Sequence, residues 1–478
     1  MSARGARAVG TAETTSTHGW EWGEGGMRGT IADAIRRRWQ YLLGSFWFIP
    51  GLVALFGAAL AVSLLQVDRR LDRGPGSVGG ALIFAGSPSA ARSILSTIAS
   101  SFITVAGLTF SLTITTLQLA ANQFTPRVLR TFLADRITQV VAGGFVGIFA
   151  YCLLVLATIR DASQAGTGFV PALSVTVSID LGLLGLALLL LFIHHTAQSI
   201  QVSTITARVA RQTLRAIERA DPGESAPPAH DLSDDALVGA WRAEGEPGHV
   251  YPARPGYVRY IALDALDALD EGYSRPGLRI YLPVRPGDFV TPGAAIAEVW
   301  PRAAAGGGTE RIVRRAVDLA EQRDIGQDAA FGVRQLADIA LRALLPGIND
   351  PTTAITCIAY LQAVLERLAG RDLPPDVRRG TDGGASVVAC RRTFDEYVEV
   401  FAEIGRAAGG DARVAGAVLD ALAAIAARAA HHVAGGRLST LVEMADRVAG
   451  PAIADARTEH DRLLLARRRA HVERAARP

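Results

Sequence analysis

Residues 97–125 read TIASSFITVAGLTFSLTITTLQLAANQFT. The stretch is too apolar for a protein surface. Yet Thr97, Ser101, Thr104, Ser111, Thr115, Gln118, Asn122 and Thr125 recur through it at separations of three, four or seven. Such separations gather side chains on one helical face. Gly107 and Leu108 fill the widest gap, a small or apolar constriction midway, and the series ends in amides just before Pro126 and Arg127. Two readings stay open. Small and hydroxyl residues make good seams between membrane helices, where a hydroxyl bonds its own helix's carbonyls. The same face, repeated around an axis, would line a hydrated path for ions or small solutes.

The surrounding sequence places this helix in a bilayer. Apolar residues (AVILMFWYC) make up 49% of the 478, and the excess lies between Phe46 and Ile193. Spans are expected at about 47–65, 94–117, 137–158 and 170–193. Each has about the 20 residues needed to cross roughly 30 Å of hydrocarbon. Helices are the natural choice there because each satisfies its own backbone. Arg36 to Arg38, then Arg127, Arg130 and Arg136, then Arg208, Arg211, Arg215 and Arg219 flank alternate span ends. The positive-inside rule then puts both termini in the cytoplasm of a bacterial inner membrane. Arg69 and Arg70 in the first outer loop act against that orientation. The apolar run after Arg38 is too long for a signal peptide and lacks a convincing cleavage site.

One acid falls inside a span. Asp180 stands in PALSVTVSIDLGLLG, about ten residues into the fourth, towards the predicted outer half. An intramembrane carboxylate needs water, a proton or a partner, so it is a functional candidate as an ion-attracting or relay group. If the span begins later, Asp180 lies near the headgroups instead. The other expected spans hold no ionisable residue, which argues against a proton-transfer chain.

Beyond Ile193 the chain carries 35 arginines and 37 acids. That balance gives no nucleic-acid footprint. All 49 basic residues are arginine, a composition that weakens any argument from arginine's geometry at single sites. Cys152, Cys357 and Cys390 have neither ligand nor redox spacing. We expect a disordered tail over 1–30, the membrane domain over 31–197, a helical extension over 198–220 and a linker over 221–255. The extension is expected to continue the fourth span's helix. A small β-rich, barrel-sandwich-like module over 256–305 follows from its Pro-Gly turns and alternating runs. A helical bundle over 306–478 completes an α+β cytoplasmic region, with Asp350-Pro351 opening one helix.

The loop Pro346-Gly347-Ile348-Asn349-Asp350, with Arg323, Asp324, Asp328 and Arg334 upstream, is a candidate ligand site. Read as helical, Asp324 and Asp328 would share a face, a possible divalent-ion pair. The same residues equally make a capped corner with internal ion pairs. Phosphate-binding loops, dinucleotide fingerprints, zinc-hydrolase motifs and nucleophile elbows are missing from the sequence. No enzyme, cofactor or metal is therefore expected.

Four stretches carry a resemblance. SLTITTLQLAANQFTPRVLRTF (111–132), GYVRYIALDAL (256–266), RPGDFVTPGAAIAEV (285–299) and QDAAFGVRQLADIALRALLPGINDPTTAITCIAYL (327–361) resemble the bacterial membrane proteins catalogued as domain of unknown function 2254 (DUF2254). The similarity is expected over about 30–450. It implies an inner-membrane protein in which the stripe's end and the PGINDP corner belong to one recurring design, and it implies no activity. The functional expectation is a homo-oligomeric pore lined by the second span. The alternative is a non-conducting sensor or scaffold whose soluble region binds a partner.

Overall fold

The computed structural model describes residues 48–71, 84–123, 135–160, 169–199, 201–219, 234–263, 265–266, 277–371, 376–379, 385–431 and 436–477. The N-terminal tail, Arg36 to Arg38, Pro126, Arg127 and Arg130 lie outside them, as do residues 221–233 of the expected linker. Four described helices are long and apolar enough to cross a membrane. They are α1 (Phe48–Leu71), α2 (Pro88–Gln123), α3 (Arg136–Leu156) and α4 (Ala172–Ser199). α3 is the most enclosed, with Val141, Phe145, Tyr151, Cys152 and Val155 almost fully buried. Its glycines allow α1 to approach. A Cβ on Gly57 would stand 2.7 Å from the Gly147 carbonyl oxygen, and one on Gly143 would stand 2.7 Å from the Pro50 Cα. Backbones this close leave no room for side chains, which is how small residues bring membrane helices together.

α1 runs past residue 65, the end expected for the first span. The added turn holds Asp68, Arg69 and Arg70, and the two arginines suit a helix C-terminus. Asp68 is 6% exposed. It accepts hydrogen bonds from the backbone N–H of Leu173 (3.0 Å) and Ser174 (3.0 Å), and from the Ser174 hydroxyl (2.5 Å). A carboxylate on one helix thus caps the start of another, α4. Tyr151 of α3 donates to the Ser174 carbonyl (2.9 Å). The expectation that the other spans hold no ionisable group is therefore corrected.

The soluble region is mixed, with helices dominating. α5 (Val202–Arg219) begins afresh after α4 ends at Ser199, so the expected continuous helix is two. α6 (Asp234–Glu244) precedes strands β1 (Gly248–Val250), β2 (Gly256–Ile261), β3 (Arg279–Leu282), β4 (Phe289–Val290) and β5 (Ala297–Trp300). Next come α7 (Gly308–Ala316), β6 (Val317–Ala320), α8 (Ala329–Ala343), α9 (Pro351–Ala369), β7 (Asp376–Arg379) and β8 (Ala385–Ala389). The helices α10 (Phe394–Val398), α11 (Val400–Ala408), α12 (Ala412–Ala430), α13 (Gly436–Ala454) and α14 (Glu459–Ala475) close the chain.

Two sheets form, ordered β1-β5-β3-β8-β7 and β4-β2-β6. Among the described residues neither closes into a barrel, so the barrel-sandwich expectation gives way to two open sheets. The larger one draws β7 and β8 from far beyond residue 305. β8 pairs parallel with β3, a long-range contact that local patterning does not announce. β6 falls where a helix was expected. Val317 and Leu319 alternate, and pairing with β2 outweighs the helical pattern on either side.

α5, α8, α9 and the helices from α10 onward share one core. Pro451 lies inside α13, and the break comes after it, before Thr458 caps α14. For the spans, Gly57→Leu should drive α1 from α3. We expect a destabilisation of about 1–3 kcal/mol, measured as a lower unfolding temperature in detergent by fluorescence-detected size exclusion. Gly51→Leu, whose Cβ meets nothing within 4 Å, should leave it unchanged.

Candidate functional site

α2 divides cleanly. Ala91, Leu95, Ala99, Phe102, Ala106 and Thr109 are buried. Thr97, Ser101, Thr104, Ser111, Thr115 and Gln118 are all exposed. At about 100° per residue the two sets point in opposite directions. The Asn122 side chain lies outside the described residues. Among the described residues the stripe thus lies on the face of α2 opposite its buried contacts.

Several hydroxyls donate to their own helix. Thr97 bonds the Ser93 carbonyl (2.7 Å), Ser101 the Thr97 carbonyl (2.7 Å) and Thr104 the Ser100 carbonyl (2.8 Å). Ser93, Ser96 and Ser100 widen the outward face, and Gly107 leaves an open notch in it. The other outward faces differ. α1 shows Leu52, Leu55 and Phe56, and α4 shows Leu183, Leu186 and Leu190, all more than half exposed. Those are side chains for lipid. On α2, aliphatic residues flank the hydroxyl strip, with Ile103 and Ile114 along one edge and Leu112 along the other.

Asp180 is exposed on the outward side of α4, beside Ile179 and near Leu183. It sits eight residues after the helix start, about 12 Å along the axis. The buried carboxylate of the membrane region is Asp68, and its hydrogen-bond partners occupy it as a cap.

In the soluble region the predicted site residues part into two groups. Arg323 donates to Asp328 (2.8 Å) and stacks over the Phe331 ring at 5.0 Å. Asp328 is 3% exposed and caps α8 by accepting from the Phe331 N–H (3.0 Å). Burial pushes its carboxyl above the usual range while Arg323 pulls it down. Gly287, at φ +92°, lies against this pair, and a Cβ there would collide with the Asp328 carboxylate. From the same turn, Asp288 accepts from Arg392 (2.9 Å), and Arg285 donates to Glu396 (2.7 Å). Gln327 pairs with the Ile261 backbone in both directions. The RPGDF and QDAAF stretches are thus two halves of one ion-paired joint between sheet and bundle.

Asp324 is not helical. Its carboxylate accepts from the Gly326 N–H (2.5 Å) in a turn. It shares no helix face with Asp328, so the possible divalent-ion pair has no helical scaffold. Arg334 bridges Asp338 (2.7 Å) and Glu403 (2.6 Å), tying α8 to α11.

Asn349 and Asp350 stand past the other end of α8, which spans 15 residues, about 20 Å away from Asp328. The two groups cannot form one pocket. Asn349 takes φ 46°, a conformation its short amide tolerates. Asp350 caps α9 through the Thr353 N–H (3.0 Å) and hydroxyl (2.5 Å). No cluster of metal-binding type occurs among the described residues.

A family model described as a predicted membrane protein, DUF2254, matches residues 44–424. The chain belongs to this family. Uncharacterized proteins of Mycobacterium tuberculosis and Mycobacterium bovis are 34% identical over 393 residues, covering 81% of this chain and 73% of theirs. No solved structure matches. The family match takes in the four spans, the ion-paired joint and the PGINDP corner together.

Sequence reasoning passed over Asp68, because it was read as a loop residue, and over the joint's partners Asp288, Arg392 and Glu396. A signal existed for the joint. Gly287-Asp288 follows a Pro, and such a turn presents its backbone for close approach.

The Asp350 cap gives a pH-dependent test. Thr353 holds its carboxyl below the ordinary value, first through the hydroxyl and then through the N–H. A lowered folded pKa means the stabilisation is complete above the unfolded value of about 3.9 and fades as pH falls through the folded one. Asp350→Ala should cost about 1 kcal/mol at neutral pH. Thermal melts should show that gap closing in acid.

Proposed function

We propose that this multi-pass membrane protein works as a homo-oligomer in which copies of α2 meet around a shared hydrated path for ions or small solutes. The observation that carries the reading is the outward strip of Thr97, Ser101, Thr104, Ser111, Thr115 and Gln118, on a helix whose opposite face already does the packing. Hydrocarbon on that strip would waste its polarity, whereas neighbouring copies related by an axis would enclose it. Asn122 would extend the wall. Asp180, exposed on α4, would attract monovalent or divalent cations near one mouth. The arginine distribution supports a bacterial inner membrane with both termini cytoplasmic. On this reading the soluble region gates or assembles the complex and catalyses no reaction. It needs no cofactor and no nucleic acid.

A second reading has its own support. Thr97, Ser101 and Thr104 bond carbonyls of their own helix, so they tolerate a dry seam. The protein would then be a non-conducting scaffold or sensor, still assembled through α2.

Flux through proteoliposomes separates the two. On the pore reading, Thr104→Leu and Ser111→Leu should lower ion flux about tenfold by blocking the lumen. Asp180→Asn should shift cation preference with a smaller loss. On the scaffold reading, the purified oligomer stays silent under voltage, pH steps and tension, while Ser101→Cys still cross-links between subunits.

A further inference from the structure

The PGINDP corner is placed by contacts within the soluble unit. At one end of the bundle lie the C-terminal turn of α5, the start of α8 and the end of α9. A Cβ on Gly332 of α8 would collide with Thr213 of α5, and Arg371, just past α9, donates to the Ile217 carbonyl (3.0 Å). From there α5 runs back along α8 and α9, burying Ile205 and Val209 in their common core. Its first residue, Val202, packs on that core, as do Leu344 and Ile355 from either side of the corner. The corner between α8 and α9 thus stands at the end of the bundle where α5 begins. Val202 follows Ser199, the last residue of α4, by three positions, at most about 10 Å of chain. That end of the bundle is therefore tethered directly to a membrane span.

The corner is firm and apolar at its tip. The N–H groups of Ile348 and Asn349 both bond the Leu345 carbonyl (2.9 Å each), and that of Asp350 bonds the Ala343 carbonyl (2.8 Å). Leu345 and Ile348 are each 48% exposed. In the helices and corners of the bundle from Ala329 onward, the only other large hydrophobic residue so exposed among those described is Leu463. Two aliphatic side chains held outward by a rigid turn, at the end tied to a span, have the chemistry of an interfacial anchor.

We infer that the PGINDP corner docks on the bilayer, with Leu345 and Ile348 entering the headgroup–acyl boundary beside the exit of α4. The inference goes beyond the pore proposal and holds whether or not α2 lines a path.

Depth-dependent fluorescence quenching tests it on the full chain. The probe is a nitrobenzoxadiazole fluorophore on Ile348→Cys or Leu345→Cys in a Cys390→Ser background, since Cys152 and Cys357 are buried. The protein is reconstituted in phosphatidylcholine–phosphatidylglycerol vesicles with and without 5-doxyl lipid. His431→Cys is the reference. His431 is exposed, and Arg428 one turn before it lies beside Gly370 at the far end of α9.

Both corner probes should be blue-shifted and quenched by doxyl lipid several-fold more than the His431 probe. Should one variant fail to fold, the other still decides. Corner probes that ignore doxyl lipid and are quenched by aqueous iodide would overturn the inference. So would probes shielded from both quenchers, which would mean that protein covers the corner.

Discussion

Hydrocarbon offers polar groups nothing to bond, and the membrane region of this chain is organised by that constraint. Every backbone group must find a partner inside the protein, and α4 begins where its first N–H groups would otherwise lack one. Asp68 supplies the acceptors from the end of α1. Tyr151 then joins α3 to the same turn. The Asp68 carboxylate and the Tyr151 hydroxyl thus link three helices at the first turn of α4. The glycines of α3 let α1 approach along its length. Among the described residues the packing of α2 falls to its buried face, opposite the hydroxyl strip.

The soluble region meets a similar demand by ion pairing. Asp328 is buried, and an isolated charge there would be costly. It is kept by Arg323 and by its place at the start of α8. Gly287 permits the β turn to press against that pair, and Asp288 passes the connection on to Arg392 and Glu396. Such a joint fixes the sheet's position relative to the helices more sharply than apolar contact would. It also accounts for charged residues that a sequence reader takes for a ligand site. Arg323 and Asp328 pair with each other in that joint, while Arg334 pairs with Asp338 and Glu403 within the bundle.

What could be read in advance was local. Apolar runs gave the four spans, and Asp350-Pro351 gave the start of α9 because cap and first-turn preferences act within a few residues. The hydroxyl strip followed from helical spacing alone. What could not be read depended on distant partners. β8 joins β3 across about a hundred residues, and β6 is a strand only because β2 lies beside it. Asp68 looked like a loop acid since nothing nearby says that residue 174 will need an acceptor. Asp324 and Asp328 illustrate the opposite error. A four-residue spacing invites a helical reading, but the helix starts only after Asp328, so the spacing had no geometric meaning.

Both proposed readings of α2 bring in a second copy of the chain, because its hydroxyls lie opposite the face that is buried among the described residues. They differ in what the hydroxyls do once covered. Own-carbonyl bonds satisfy a threonine's donor and leave its oxygen with capacity to accept. A dry seam would use that capacity poorly, and water or a passing cation would use it well. Gln118 presses the point further, since an amide has two donors and an acceptor to satisfy. A seam built only for close packing would be better served by alanine, which α2 places on its buried face at Ala91, Ala99 and Ala106. The choice of hydroxyl and amide along one face, broken midway by Gly107 and Leu108, is the physical ground for preferring a wet path.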